Sequence, residues 1–100
     1  MNSIDTKSLA ELEGVTVVDV RETYEYVGGH APAARSIPLS ELFARVTEIP
    51  RDEPVYVICE SGGRSAQATE WLVAQGVDAV NVLGGTAAWR SSGLPVAVGA

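Results

Sequence analysis

Three short apolar runs, with helical patterns between and after them, constrain this chain more than any other feature. They are Val15-Thr16-Val17-Val18-Asp19-Val20, Pro54-Val55-Tyr56-Val57-Ile58 and Asp78-Ala79-Val80-Asn81-Val82-Leu83. Runs so rich in β-branched and apolar residues read as strands buried on both faces, the condition of a parallel sheet covered by helices. Parallel neighbours cannot be joined by a tight hairpin and need a crossover. The intervening segments supply it. Thr6 reads as the N-cap of a short first helix closed by Gly14, and Glu22 to Val27 as a helical turn broken by Gly28-Gly29. Ser40 reads as the cap of a helix in which Leu42, Phe43 and Val46 recur at helical spacing, with Pro50 beyond its end. Ser65 to Gln75 reads as an amphipathic helix with Ala68, Leu72 and Val73 on its apolar stripe and Gly76 as its stop. Thr86 to Arg90 reads as the last helix, and Ser36-Ile37-Pro38-Leu39 as a small strand or extended segment. With 100 residues there is enough chain for one core and too little for two, so residues 1–100 are expected to form a single α/β domain with a mostly parallel sheet.

Composition narrows the partners. A net charge of -6 argues against nucleic acid, whose binders carry a basic face, but leaves room for a small anionic ligand held by local N–H groups. No apolar run approaches the roughly 20 residues that span a bilayer. The start, Met1-Asn2-Ser3-Ile4-Asp5, has neither a basic nor an apolar leader segment, so the expected location is cytoplasmic, with no membrane partner. One Cys and one His make no intrachain disulfide and no typical structural zinc site, and no metal or cofactor is expected.

A solitary cysteine is by base rate an inert core residue. Cys59 departs from that rule through its surroundings. It stands where a strand ends and a helix begins, the edge at which open α/β sheets collect ligands. The next residues, Glu60-Ser61-Gly62-Gly63, include two glycines, which permit positive φ and let successive N–H groups curl around one point. The helix opening near Ser65 adds unpaired N–H groups and the positive end of its dipole. A thiol at that focus ionises more readily, and the same ring holds an oxyanion beside it. Cys59 is therefore the candidate nucleophile, and Glu60, Ser61, Gly62, Gly63, Arg64 and Ser65 are the candidate substrate-binding residues. Arg64 has two open roles, contact with an anionic substrate or bracing of the loop from outside. Asp19, Arg21 and Glu25 form a charged group near the end of the first strand, which on its own reads as a surface ion-pair network. His30 is the only imidazole, but Gly28-Gly29-His30-Ala31-Pro32 reads as a turn, which favours a scaffold role over that of a hydrolytic base. Trp71 and Trp89 read as packing residues.

These residues together resemble the rhodanese family of single-domain sulfurtransferases. Asp19-Val20-Arg21-Glu22 with Glu25-Tyr26 and Gly29-His30 looks like the family's first conserved stretch, continued by Pro32, Ala34 and Ile37-Pro38. Cys59 to Ser65 matches its active-site loop, and Leu83-Gly84-Gly85, Ala88-Trp89 and Gly93-Leu94-Pro95 its C-terminal stretch. Ala33 stands where the family often has Gly. Glu60 stands where several active members carry a basic or polar residue, and a carboxylate beside the thiol opposes both the thiolate and a dianionic donor.

The resemblance implies a three-layer α/β/α domain with a small sheet of about five strands. It implies an enzyme that moves a sulfane sulfur from thiosulfate or a persulfide to a thiol or cyanide through a Cys59 persulfide. The partners are then a small anionic sulfur donor and a thiol or cyanide acceptor, with a partner protein as a further candidate. Asp19, Arg21 and Glu25 then brace the active-site loop or the turn containing His30, and His30 is part of the scaffold around the site. A non-catalytic sulfur-carrier or regulatory module is the alternative, although such modules commonly lack the Cys. A rhodanese-related phosphatase or arsenate reductase fits less well, because its loop is longer than the four residues between Cys59 and Arg64.

Overall fold

A computed structural model describes all residues, 1–100. Five parallel strands, β1 (Asn2–Ile4), β2 (Thr16–Asp19), β3 (Ala34–Ser36), β4 (Val55–Ile58) and β5 (Ala79–Val82), lie in the order β1-β5-β4-β2-β3. The helices are α1 (Thr6–Ala10), α2 (Thr23–Gly28), α3 (Leu39–Leu42), α4 (Gly63–Ala74) and α5 (Gly85–Ser91), with a 3-10 turn at Val46–Glu48.

Alternation along the strands divides the core in two. Val18, Val20, Val55, Val57 and Ala79 face one side, where they pack with Leu42 of α3 and with Ala68 and Leu72 of α4. Val17, Ile58 and Val82 face the other, against Leu9 of α1, Tyr26 of α2 and Trp89 of α5. Successive residues of a strand point to opposite faces, so a central sheet buried on both sides must be apolar throughout. This is the expected three-layer arrangement, with β4 at the middle of the sheet.

Several local expectations shift. β1 was not anticipated, because three residues that are mostly exposed at a sheet edge leave no apolar period. Asp5 rather than Thr6 caps α1, its Oδ1 accepting the Ser8 N–H at 2.7 Å, and Thr6 is buried inside the helix. Pro38, not Ser40, precedes α3, which is only one turn long and leaves Phe43 exposed. α4 starts two residues earlier than expected, with Gly62 as its N-cap at φ 110°. Only Ala68 and Leu72 of the expected stripe are buried; Val73 faces outward. Ala33 lies in a turn closed by the Ala34 N–H on the Ala31 carbonyl at 2.9 Å, and no residue other than glycine takes a positive φ, so no glycine is needed there.

Candidate active site

The parity of β4 decides where Cys59 points. Val55, Val57 and Cys59 share the α4 side of the sheet, so the thiol emerges at the carboxyl end of the central strand directly beneath the first turn of α4. The Gly62 N–H donates to Sγ at 3.1 Å, and the thiol itself lies 3.2 Å from the Ser65 hydroxyl. Burial opposes ionisation, but the Ser65 hydroxyl and the N–H groups of Ser65, Gly62 and Ser61 outweigh it, so the Cys59 pKa lies below the ordinary thiol value. The residue is 1% exposed, so the thiol is almost closed off from solvent.

The loop is turned inside out from behind. Two of its carbonyl groups, those of Cys59 and Glu60, point away from the sulfur because α5 captures them. The Thr86 N–H donates to the Cys59 carbonyl at 2.8 Å, the Ala87 N–H to the Glu60 carbonyl at 3.0 Å, and the Thr86 hydroxyl to the Cys59 carbonyl at 3.0 Å. This close approach depends on Gly85. A Cβ there would stand 2.5 Å from the Cys59 carbonyl oxygen, and the residue takes φ 58°. With the Cys59 and Glu60 carbonyls tied back, the loop's backbone turns N–H groups toward Sγ.

The charged residues form two clamps. Arg64 forks onto Glu25 of α2, with Nη1–Oε1 2.7 Å and Nη2–Oε2 2.9 Å. That hydrogen bond holds the Glu25 carboxyl at about 2, despite partial burial. Arg21, 1% exposed, binds Asp19 through Nε and Nη2, the Gly29 carbonyl through Nη2 at 2.8 Å and Glu60 through Nη1 at 3.2 Å. Glu60 also receives Arg90 of α5 at 3.0 Å. Its carboxylate is thus turned to two guanidinium groups, and its opposition to the thiolate is muted.

The family follows from this geometry and from comparison. The model of the rhodanese-like domain matches residues 4–92. This chain belongs to the rhodanese-like domain family. A protein of Allochromatium vinosum named sulfurtransferase is 41% identical over 96% of this chain and 94% of its own. A protein of Actinobacillus pleuropneumoniae named thiosulfate sulfurtransferase GlpE is 36% identical over 88% of this chain and 82% of its own. The crystal structure of a rhodanese-related protein from Thermoplasma volcanium superposes with a TM-score of 0.93 at 38% identity, covering 98% of this chain and 99% of that one. Of three other relatives the chain spans 59%, 50% and 42%, so similar domains also sit within longer proteins.

Within this rhodanese-like domain the residues singled out from the sequence fall into two groups. Cys59, Ser61, Gly62 and Ser65 converge on the sulfur, whereas Glu60 and Arg64 turn their side chains outward into the clamps. Asp19, Arg21 and Glu25 meet the loop through those clamps and are not a mere surface network. His30 is buried with its ring stacked on Tyr26, centroids 3.6 Å apart, and its Nδ1 lies 2.7 Å from the Tyr26 carbonyl. Sequence reasoning missed Thr86, Arg90 and Asn81. Asn81 carried one signal: it is the only polar side chain in the interior of its run, on the strand beside β4.

Proposed function

We propose that this chain is a rhodanese-type sulfurtransferase that carries a sulfane sulfur on Cys59. The observation that carries the reading is the ring of donors closed on a thiol of lowered pKa, with the loop carbonyls tied behind it. The Cys59 thiolate attacks the outer sulfur of thiosulfate. A new S–S bond forms, the donor's S–S bond breaks, and sulfite leaves with the electron pair. In the second step cyanide, or the thiolate of an acceptor, attacks the outer sulfur of the enzyme persulfide. Thiocyanate or an acceptor persulfide departs, and the Cys59 thiolate returns. The ring stabilises the charge at both stages without an acid or base in either step.

The relatives named as sulfurtransferases support this class of reaction. The tight loop also supports it over phosphate-ester hydrolysis. With four residues between Cys59 and Arg64, and Arg64 turned to Glu25, the ring suits a single sulfur better than a tetrahedral phosphate. The donor in this reading is thiosulfate or a persulfide, and the acceptor is cyanide in an assay and a thiol, small or protein-borne, in a cell. Mass spectrometry after incubation with thiosulfate tests the reading. It should show a gain of one sulfur on Cys59, removed by cyanide and absent from Cys59→Ser. No adduct with thiosulfate or with any persulfide donor would leave the binding module as the better account.

A further inference from the structure

One hydrogen bond at the sulfur reaches past the loop. The Ser65 hydroxyl lies 3.2 Å from Cys59 Sγ on one side and 2.6 Å from Asn81 Oδ1 on the other. All three side chains are at least nine-tenths buried. Asn81 sits on β5 in register with Val57, two residues before Cys59, so the neighbouring strands and α4 hold the three groups in a line. A hydroxyl has one proton. As the structure stands, the thiol donates to Ser65 Oγ and the Ser65 proton goes to Asn81.

That arrangement satisfies only the thiol. Neither a thiolate nor a Cys59 that has taken up a sulfur bears a hydrogen on Sγ, so in both states Sγ only accepts hydrogen bonds. The Ser65 proton is then best placed on the sulfur, which leaves Asn81 Oδ1 facing the lone pairs of Ser65 Oγ. An acceptor-only neighbour would resist this. Asn81 is an amide, and a half-turn about its Cβ–Cγ bond brings Nδ2 to where Oδ1 stood. Its side chain hydrogen-bonds Ser65 and no other residue, so nothing else fixes that rotation. We propose that Asn81 is a positioning residue, whose amide turns to reverse the Ser65 hydroxyl when Cys59 ionises or carries a sulfur.

The balance is simple. The Sγ proton leaves to solvent or, in transfer, the thiolate forms its new S–S bond. The Cys59–Ser65 and Ser65–Asn81 hydrogen bonds change direction, and no other covalent bond changes. The charged groups nearby stay as they are. Arg64 of α4, whose charge favours the thiolate, is held by Glu25 of α2, and Glu60 of the loop is held by Arg21 and Arg90.

The inference rests on the sulfur-transfer reading for its purpose, but its test needs no transfer. In wild-type protein, the side-chain amide NMR signals of Asn81 should titrate with the same midpoint as the ultraviolet absorbance of the Cys59 thiolate, and should not move in Cys59→Ser. Asn81→Asp, which can only accept when ionised, should raise the thiolate midpoint by about one pH unit. In a Ser65→Ala background it should raise it by less than half as much, because the hydroxyl that transmits the effect is gone. Equal shifts in the two backgrounds, or Asn81 signals that stay fixed while the thiol ionises, would overturn the proposal. If Asn81→Asp does not fold, the wild-type amide titration decides alone. Loss of all persulfide formation with these shifts intact would sink the proposed function and leave the role of Asn81 standing.

Discussion

Arg64 and Glu25, 39 residues apart in the chain, meet fork to fork at 2.7 and 2.9 Å and fasten the first turn of α4 to α2. The guanidinium is therefore committed to joining these two helices at the surface. Bidentate pairs of this kind fix geometry as well as adding energy. Glu25→Gln should lower stability by about 1 kcal/mol, the modest figure reflecting partial exposure and screening. Its pH signature is more specific. The folded Glu25 carboxyl sits at about 2, well below its ordinary 4.5, chiefly through the Arg64 hydrogen bond. A depressed acid stabilises the fold fully above its unfolded pKa and loses that contribution as pH falls through the folded one. Denaturant midpoints should thus decline between about pH 4.5 and pH 2 in wild type, and less steeply in Glu25→Gln.

Cys59 gives a second pH dependence on the neutral side. Its lowered pKa means that stability rises with pH from the folded value toward the ordinary thiol pKa of about 8.5, and levels off above it. Cys59→Ser should abolish that rise. Ser65→Ala should raise the thiolate midpoint, read by ultraviolet absorbance, because the sulfur loses a hydroxyl donor.

Glu60 was expected to oppose the thiolate, and its pairing with Arg21 and Arg90 removes most of that opposition. Glu60→Gln should leave the Cys59 midpoint within about 0.3 unit, since the charge was already compensated. Freed of their partner, the two guanidinium groups should raise kcat/KM for thiosulfate roughly threefold in steady-state assays, less at high salt. A midpoint that drops by a full unit would show that the carboxylate does act on the sulfur.

Gly85→Ala should be among the most damaging single changes. The added methyl would meet the Cys59 and Glu60 carbonyl oxygens at 2.5 and 2.6 Å, in a backbone region unfavourable to alanine. A loss of about 2–4 kcal/mol is expected, with a rise in the thiolate midpoint of whatever folds. Thermal unfolding and thiolate absorbance measured together would separate the two effects.

His30→Ala should cost about 2–3 kcal/mol through the lost stack on Tyr26 and the lost bond to its carbonyl. Turnover per folded molecule should change less than twofold, estimated from the ring's commitment to packing. Loss of turnover in a fully folded variant would return His30 to the chemistry.

The sequence carried the main strands, the loop and the place of Cys59 at its start because each is written locally. Val55 to Ile58 is apolar without interruption, and Cys59 to Ser65 has Gly62 where the turn takes a positive φ; Gly63, which opens α4, needs none. What was illegible is relational. Glu60 reads as a nuisance to the thiolate until Arg90, thirty residues on, is seen to hold it. Ser65 reads as the opening of a helix, yet that helix begins earlier, after Gly62 at φ 110°, and the Ser65 hydroxyl turns inward to Asn81. β1 leaves no pattern because its order comes from pairing with Val80 to Val82, not from a buried face of its own.

The capture of the Cys59 and Glu60 carbonyls by Thr86 and Ala87 has a consequence in time. A chain emerging from the ribosome finishes its thiol long before it finishes the helix that turns the loop around it. Until α5 docks, nothing holds those two carbonyls away from the sulfur. The loop around Cys59 thus takes its final form only after a later-made segment, carrying Thr86 and Ala87, has docked against it.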